Sequence, residues 1–165
     1  MSVFLDELLT VCRFLVGGFF VWSGSSKFGN PAMFWSQIMG YQITGAGVSR
    51  VLAAVIPPLE FMCGLFFASG MLPLVPGIIL LILLGVFCIA ITVSLVRKAD
   101  NDCGCGPKSS KVSPLHLVRN ALLAALVVAG LFSPPLHYVG DYVVASCGAL
   151  IIIGASIYRW RMLNR

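Results

Sequence analysis

Five apolar runs follow one another along the chain, and polar or proline-containing segments separate them. The runs cover about residues 8–25, 51–72, 75–96, 115–132 and 139–158. Each has about 18–22 residues, which is long enough for a helix to cross the hydrocarbon core of a bilayer. The pattern therefore predicts an all-α integral membrane bundle of four to five transmembrane helices. We expect this bundle to form one domain over residues 1–165. Because the fourth run is the shortest, four spans plus a partly inserted segment remain an alternative.

Prolines separate neighbouring runs at two points in the chain. Pro73 and Pro76 lie between the second and third runs, and Pro134 and Pro135 lie between the fourth and fifth. Proline lacks the N–H that a helix needs and clashes with the preceding turn. We therefore expect the helices to break at these positions.

The composition supports a membrane environment. Of the 165 residues, 59% are hydrophobic and only 10% are charged, and the mean hydropathy is +0.98. A soluble domain carries about a quarter charged residues. The net charge of +5 comes from basic residues at the ends of apolar runs, where membrane orientation is encoded. We therefore expect membrane lipid as a partner and no nucleic acid.

The basic residues collect on one side of the predicted membrane. Five spans place residues 73–76 and 133–138 on the side of the N-terminus, and residues 26–50 and 97–114 on the side of the C-terminus. Cytoplasmic loops carry an excess of Lys and Arg. We therefore predict a multi-pass protein of the inner (cytoplasmic) membrane with its N-terminus outside. Ten of the eleven basic residues lie on the cytoplasmic side or beside it: Lys27, Arg50, Arg97, Lys98, Lys108, Lys111, Arg119, Arg159, Arg161 and Arg165.

Two cysteines lie close together in the loop that this orientation places in the cytoplasm. Only Gly104 separates Cys103 from Cys105, so the backbone can bend enough for the two sulfurs to meet. A disulfide in so small a ring is strained and easily reduced, which suits exchange better than a structural crosslink. The other cysteines lie singly in apolar runs, where inert thiols are expected: Cys12, Cys63, Cys88 and Cys147.

A helix is predicted to begin just after this pair, with Ser113 as its N-cap and Pro114 at its first position. A helix N-terminus and nearby lysines favour the reactive thiolate. His116 would be a proton donor in thiol exchange or an ordinary interfacial histidine. Two thiolates with His116 also suggest copper(I) or zinc, but a closed zinc site needs a second ligand pair that the sequence lacks. We therefore assign no metal ligands.

Charged side chains within the apolar runs form a second group of candidates. Glu60 lies near the middle of the second run, Arg13 lies in the first, and Arg119 lies near the start of the fourth. A charge at membrane depth is costly unless it is paired or faces a cavity. We expect Glu60 to pair with Arg13 or Arg119. Such a pair would fix helix register or form part of a proton or quinone-headgroup site.

Four segments in order resemble the DoxX/MauE superfamily, and in particular its MauE branch of methylamine-utilisation membrane proteins. They are "RFLVGGFFVWSGSSKF" (13–28), "PPLEFMCGLFFASG" (57–70), "DCGCG" (102–106) and "LHLVRNALLAAL" (115–126). The resemblance spans about residues 10–130. It departs from the MauE pattern after the second cysteine, where Gly106-Pro107 replaces the usual Phe-Gly.

The resemblance implies a role in maturing a disulfide-rich enzyme subunit, alongside a thioredoxin-like protein. It implies Cys103 and Cys105 as the redox pair. It also implies five framework positions, which are our candidates for binding a cofactor, with a quinone as the one cofactor considered. These positions are Arg13, Lys27, Glu60, Arg119 and Asn120.

We therefore predict a membrane thiol–disulfide redox protein in which Cys103, Cys105 and His116 are catalytic. Exported substrates would require a relay from the cytoplasmic pair through a second thiol, Cys12 or Cys147, or through a quinone. The opposing possibility is a loop that dips into the bundle and serves either face. A non-enzymatic anchor or accessory subunit of a redox complex, and a metal-handling membrane protein, are the alternatives. The sequence leaves open a homo-oligomer or a larger membrane complex.

Overall fold

A computed structural model describes residues 2–70, 73–97 and 113–133. These residues form helices and no strand, which confirms the predicted all-α class. The cysteine pair, Cys147 and the predicted fifth span lie outside the described residues. The helices are α1 (Ser2–Phe28), α2 (Pro31–Gly40), α3 (Ala46–Ser69), α4 (Leu74–Val96) and α5 (Pro114–Leu131).

Three of these helices, α3, α4 and α5, are long and apolar enough to cross a membrane. At most 39% of the residues in their most apolar windows are buried within the bundle. Their outer surfaces are therefore apolar, as expected of surfaces that face lipid. The 27-residue α1 is not among the three, but it packs along the spanning helix α3. The chain is a multi-pass helical membrane protein.

Glycines bring α1 and α3 into backbone contact. A Cβ on Gly17 would lie 2.7 Å from the carbonyl oxygen of Gly64, and one on Gly24 would lie 2.7 Å from that of Pro57. The contact on α3 moves toward its N-terminus as the contact on α1 moves toward its C-terminus, so the two helices are antiparallel. Such close approach is typical of small residues between membrane helices. The resulting register places Glu60 level with the last turns of α1.

Helix boundaries mostly follow the sequence signals. Gly70 ends α3 in the left-handed conformation with φ of 69°, and Pro73 is the N-cap of α4. Pro76 was expected to interrupt the helix but lies in the first turn of α4. Proline is tolerated there because an N–H in the first turn has no acceptor within the helix. Ser113 is the N-cap of α5 and Pro114 is its first residue, which confirms the predicted start of that helix.

The segment between the first two apolar runs forms a helix that the sequence did not lead us to predict. Asn30 caps α2 because its side-chain oxygen accepts a hydrogen bond from the N–H of Met33 at 3.0 Å, and Pro31 occupies the first position. Both are ordinary helix-start signals. The helix has only ten residues, too few to register as an apolar run. It packs against α3 and buries Phe34 and Gln37.

The described long helices alternate in direction, as expected of consecutive membrane spans. We call one end of the bundle the loop end: α1 and α4 finish there, and α3 and α5 begin there. At the other, far end α1 and α4 begin, and α3 and α5 finish. In the sequence, the cysteine-containing segment lies between the end of α4 and the start of α5, and both belong to the loop end. Four of the described basic residues belong to the half of the bundle at this end: Lys27, Arg50, Arg97 and Arg119.

Candidate functional site

A buried ion pair joins the end of α1 to the middle of α3. Lys27 Nζ lies 2.7 Å from Glu60 Oε1 and 2.5 Å from Oε2, and only 4% and 1% of the two side chains are exposed. Lys27 also donates to Ser23 Oγ at 3.1 Å, and the Ser23 hydroxyl donates to Glu60 Oε2 at 3.3 Å. Buried charges persist when they are paired and hydrogen-bonded, and this pair meets both conditions.

We expected Glu60 to pair with Arg13 or with Arg119, and this prediction is wrong. The partner is Lys27, and the α1–α3 register explains why. Helical side chains point toward the N-terminus of their own helix, so Lys27 reaches back along α1 to the level of Glu60. Arg13 lies roughly 21 Å farther along α1, at 1.5 Å of rise per residue, which is too far for contact.

Two aromatic rings enclose the ion pair. The ammonium of Lys27 lies 5.1 Å from the ring centroid of Phe34 on α2 and 5.2 Å from that of Phe87 on α4. A cation over an aromatic face is attracted by the ring's electron density, and more strongly where water is excluded. The single side chain of Lys27 therefore links α1 with α2, α3 and α4.

Four of the five framework positions meet around one small cavity beside the ion pair. Lys27, Glu60, Arg119 and Asn120 line a space of about 10 Å³, which is room for about one water molecule. Ser23 and several apolar side chains complete its wall. The cavity brings α5 together with α1 and α3.

This cavity has more hydrogen-bond donors than acceptors. Arg119 Nε and Asn120 Nδ2 are buried and have no hydrogen-bond partner among the described residues. The Arg119 guanidinium also lies 5.9 Å from the ring of Phe19. Lys27 and Arg119 bring two positive charges against the one carboxylate of Glu60. The cavity therefore suits an anion or an uncharged acceptor.

The fifth framework position, Arg13, lies at the far end and does not contribute to this cavity. Its side chain is fully buried, and Nη1 donates to Ser133 Oγ at 2.7 Å. The Ser133 hydroxyl in turn donates to the carbonyl oxygen of Gly130 at 2.7 Å. A Cβ on Gly70 would lie 3.0 Å from Arg13 Cζ. Helices α3 and α5 both end here, and the partial negative charge of helix C-termini favours a cation.

His116, a predicted catalytic residue, lies in the first turn of α5. Its Nδ1 accepts a hydrogen bond from the backbone N–H of Ser113 at 3.3 Å and lies 3.1 Å from Ser113 Oγ. The two residues form a capping box, in which histidine takes the place of the usual glutamate or glutamine. His116 therefore helps to fix the start of the helix that follows the cysteine pair.

The predicted redox pair, Cys103 and Cys105, lies outside the described residues. Within them Cys12, Cys63 and Cys88 are free thiols. The described ranges also contain no group of three or more His, Cys, Asp or Glu side chains that could hold a metal ion.

Two serines that hold the buried charges were absent from the sequence candidates. Ser23 lies four residues before Lys27 and so shares a helix face with it, a spacing that the sequence displays. Ser133 approaches Arg13 from a helix end 120 positions away in the chain. No local pattern predicts such a contact.

The chain is similar to known proteins over the described helices. A family model described as "Methylamine utilisation protein MauE" matches residues 5–133. The "Methylamine utilization protein MauE" of Paracoccus denitrificans is 28% identical over 134 residues, which cover 78% of this chain and 72% of that protein. No solved structure matches the chain.

Proposed function

This chain belongs to the MauE family, and we propose that it is a membrane thiol–disulfide exchange protein in methylamine utilisation. Its substrates would be disulfide-containing proteins, reached through a thioredoxin-like partner. The name of the Paracoccus relative supports a role in methylamine utilisation. The exchange chemistry rests on residues of this chain.

The observation that carries the proposal is the position of Cys103-Gly104-Cys105 in the chain, shortly before α5. The start of α5 is fixed by Ser113 and His116, so its N-terminal dipole has a definite place at the loop end. A helix N-terminus and cationic neighbours lower the pKa of a nearby cysteine thiol and so favour its thiolate. The cavity with surplus positive charge lies at the second turn of the same helix.

The proposed reaction is two consecutive thiolate attacks. The thiolate of one cysteine of the pair attacks a partner disulfide; a mixed disulfide forms and one partner sulfur leaves as a thiolate. The second cysteine then attacks the mixed disulfide, which closes the Cys103–Cys105 bond and releases the other partner sulfur. The pair loses two electrons, the partner gains them, and the released thiolates take up two protons. The reverse sequence oxidises a partner dithiol.

The buried framework supports this chemistry by holding α5 in place. Asn120 is 2% exposed and lies in the same cavity wall as Glu60. Phe19 of α1 lies against Arg119, the residue before it. We propose that these contacts fix the N-terminal turns of α5, and with them the surroundings of His116 as proton donor to a leaving thiolate.

Capture of a partner tests the proposal. Cys103→Ser and Cys105→Ser should each abolish exchange about as fully as the double variant, because neither cysteine alone completes the cycle. The variant that lacks the resolving cysteine should accumulate a covalent, dithiothreitol-sensitive complex, identified by mass spectrometry. Cys88→Ser is the matched control, since Cys88 is a free thiol on α4. It should leave exchange unchanged.

Full exchange by both single variants would overturn this function in favour of a membrane anchor or accessory subunit. Protection of the two thiols from alkylation by added copper(I) or zinc, but not by oxidation, would support the metal-handling alternative instead.

The proposed orientation has its own experiment. A variant with only Cys103 and Cys105 is treated with a membrane-impermeant maleimide, in intact cells and in inverted vesicles. The charge distribution predicts labelling in inverted vesicles alone. Labelling in intact cells would contradict the proposed cytoplasmic location of the loop.

A further inference from the structure

An apolar cavity of about 170 Å³ lies between α2, α3 and α4, next to the ion pair. Its wall includes Phe34, Ile38, Leu52, Ile56 and Phe87. An apolar cavity of about 150 Å³ in a protein interior stays free of water and accepts a benzene ring. The volume and lining therefore suit one six-membered ring with small substituents.

One polar group in this wall is left without a partner. Gln37 is 92% buried, being 8% exposed, and its Nε2 has no hydrogen-bond acceptor in the described part of the chain. A buried donor that stays unpaired is destabilising. A ligand oxygen in the cavity would satisfy it. The occupant should therefore carry a hydrogen-bond acceptor on an otherwise apolar ring.

The cavity opens on the outer surface of the bundle. Ile43, Val86 and Ile89 belong to its lining and are 47%, 48% and 64% exposed. In a membrane protein this rim faces lipid. The ligand should therefore arrive through the bilayer, and a hydrocarbon tail can remain in the lipid while the ring is inside.

The back of the cavity touches the candidate site. Phe34 and Phe87 line the cavity, and Lys27 Nζ lies 5.1 and 5.2 Å from the centroids of their rings. One aromatic layer therefore separates a bound ring from the Lys27–Glu60 pair.

We propose that this cavity binds the headgroup of a lipid-soluble quinone, with Gln37 Nε2 donating to a ring carbonyl. The ring, the acceptor and the lipid entrance follow from the cavity itself. The choice of a quinone among ring carbonyl compounds rests on the proposed function, since dithiol exchange in a membrane needs a two-electron partner. Nothing in the binding step requires the cysteine pair.

Binding is measured on the purified full chain in detergent, with a photoreactive azidobenzoquinone that carries a decyl tail. Mass spectrometry should place the label on α2 and α4. Excess decylbenzoquinone, present during photolysis, should prevent this labelling. Decylcyclohexane, which has the ring and tail but no carbonyl, should compete at least about tenfold more weakly because it cannot accept from Gln37.

Two variants locate the ring. Gln37→Leu should weaken decylbenzoquinone competition about tenfold, whereas Ser36→Leu on the exposed side of the same helix should not. Ala90→Phe fills the cavity and should abolish labelling of α2 and α4. Its control is Ile82→Phe, at a position of α4 that is 60% exposed. Thermal unfolding identifies an Ala90→Phe protein that fails to fold, and Gln37→Leu then decides the outcome.

Labelling should persist in the Cys103→Ser/Cys105→Ser double variant, so binding and exchange can fail separately. Equal competition by decylcyclohexane would identify the cavity as a site for lipid tails and overturn the proposal. Labelling that is unchanged by Gln37→Leu and Ala90→Phe would also overturn it.

Discussion

The two buried cations of α1 are held in different ways at the two ends of the bundle. Toward the loop end, Lys27 has a carboxylate partner, Glu60, in direct contact. At the far end, Arg13 is more deeply buried, at 0% exposure, and its Nη1 donates to the uncharged hydroxyl of Ser133. From the sequence alone, Glu60 was expected to pair with Arg13 or Arg119, because Arg13, Lys27 and Arg119 all carry a positive charge in or beside an apolar run.

The neighbouring helices present different groups to the two cations. Lys27 lies in the last turn of α1, but its side chain contacts Glu60, which lies roughly 14 Å from the nearer end of α3. Arg13 lies where α3 ends at Gly70 and α5 ends near Ser133. The terminal carbonyls of both helices supply partial negative charge. Two helix C-termini and a serine hydroxyl therefore contribute to holding Arg13, whereas a carboxylate from the middle of α3 holds Lys27.

The largest effect is expected from breaking the ion pair on one side. Lys27→Met and Glu60→Met should each lower the free energy of unfolding by about 3–5 kcal/mol, because each leaves one buried charge uncompensated. The loss of unfolding free energy is measured in detergent by raising the mole fraction of dodecyl sulfate while circular dichroism monitors the helix content.

The double variant Lys27→Met/Glu60→Met is the control for this pair. Two apolar side chains of similar volume can replace a buried ion pair at little cost, so it should recover most of the loss. A double variant as unstable as the sum of both single variants would show that the two residues act independently.

The close approach of α1 and α3 is the next test, because it sets the register of the ion pair. Gly24→Ala should cost about 1–3 kcal/mol, since its Cβ would lie 2.7 Å from the carbonyl oxygen of Pro57. Gly85→Ala on α4 is the matched control, because nothing lies within 4 Å of its Cβ position. The same unfolding titration compares them, and equal stability of both variants would contradict the proposed packing.

At the far end, Gly70→Ala should cost about 1–2 kcal/mol, because alanine is strained at φ of 69°. The new Cβ also meets the Arg13 guanidinium. Combining Gly70→Ala with Arg13→Met should reduce the cost to the backbone part alone. An undiminished cost in the double variant would show that Arg13 and Gly70 do not interact.

The smallest effect is expected for Ser133→Ala, about 1–1.5 kcal/mol for the loss of its hydrogen bonds with Arg13 and with the carbonyl oxygen of Gly130. The helix C-termini remain in place and continue to stabilise the cation. Thermal unfolding in detergent compares this variant with Lys27→Met. A loss as large as that of Lys27→Met would mean that Arg13 depends on one partner, and the contrast between the two ends would disappear.

Much of the fold was predictable because membrane helices are specified by local sequence. The runs predicted at 51–72, 75–96 and 115–132 correspond to α3, α4 and α5, with ends that differ by up to five residues. The run at 8–25 lies within α1. Length and hydropathy suffice here, since a segment in lipid must satisfy its own backbone hydrogen bonds. Helix α2 escaped detection because its signals, Asn30 and Pro31, begin a helix that is too short to span.

The sequence likewise identified residues of the candidate site but not the contacts between them. The family resemblance identified Lys27, Glu60, Arg119 and Asn120 as framework positions together with Arg13, and the structure places the first four around one cavity. Their pairing was not predictable, because it depends on how α1 and α3 are aligned across the contacts of Gly24. The redox role of Cys103 and Cys105 stays a prediction.

The sequence by itself determined which segments become apolar helices, where α5 begins, and that charges within those helices need partners. These properties depend on residues within one or two turns of each other and on the surrounding lipid. Only the tertiary structure decided that Glu60 pairs with Lys27, that Arg13 meets Ser133 where α3 and α5 end, and that Gln37 faces an apolar cavity. Those outcomes depend on distances of a few ångströms between separate helices, which the packing of glycines and aromatic rings sets and no local pattern encodes.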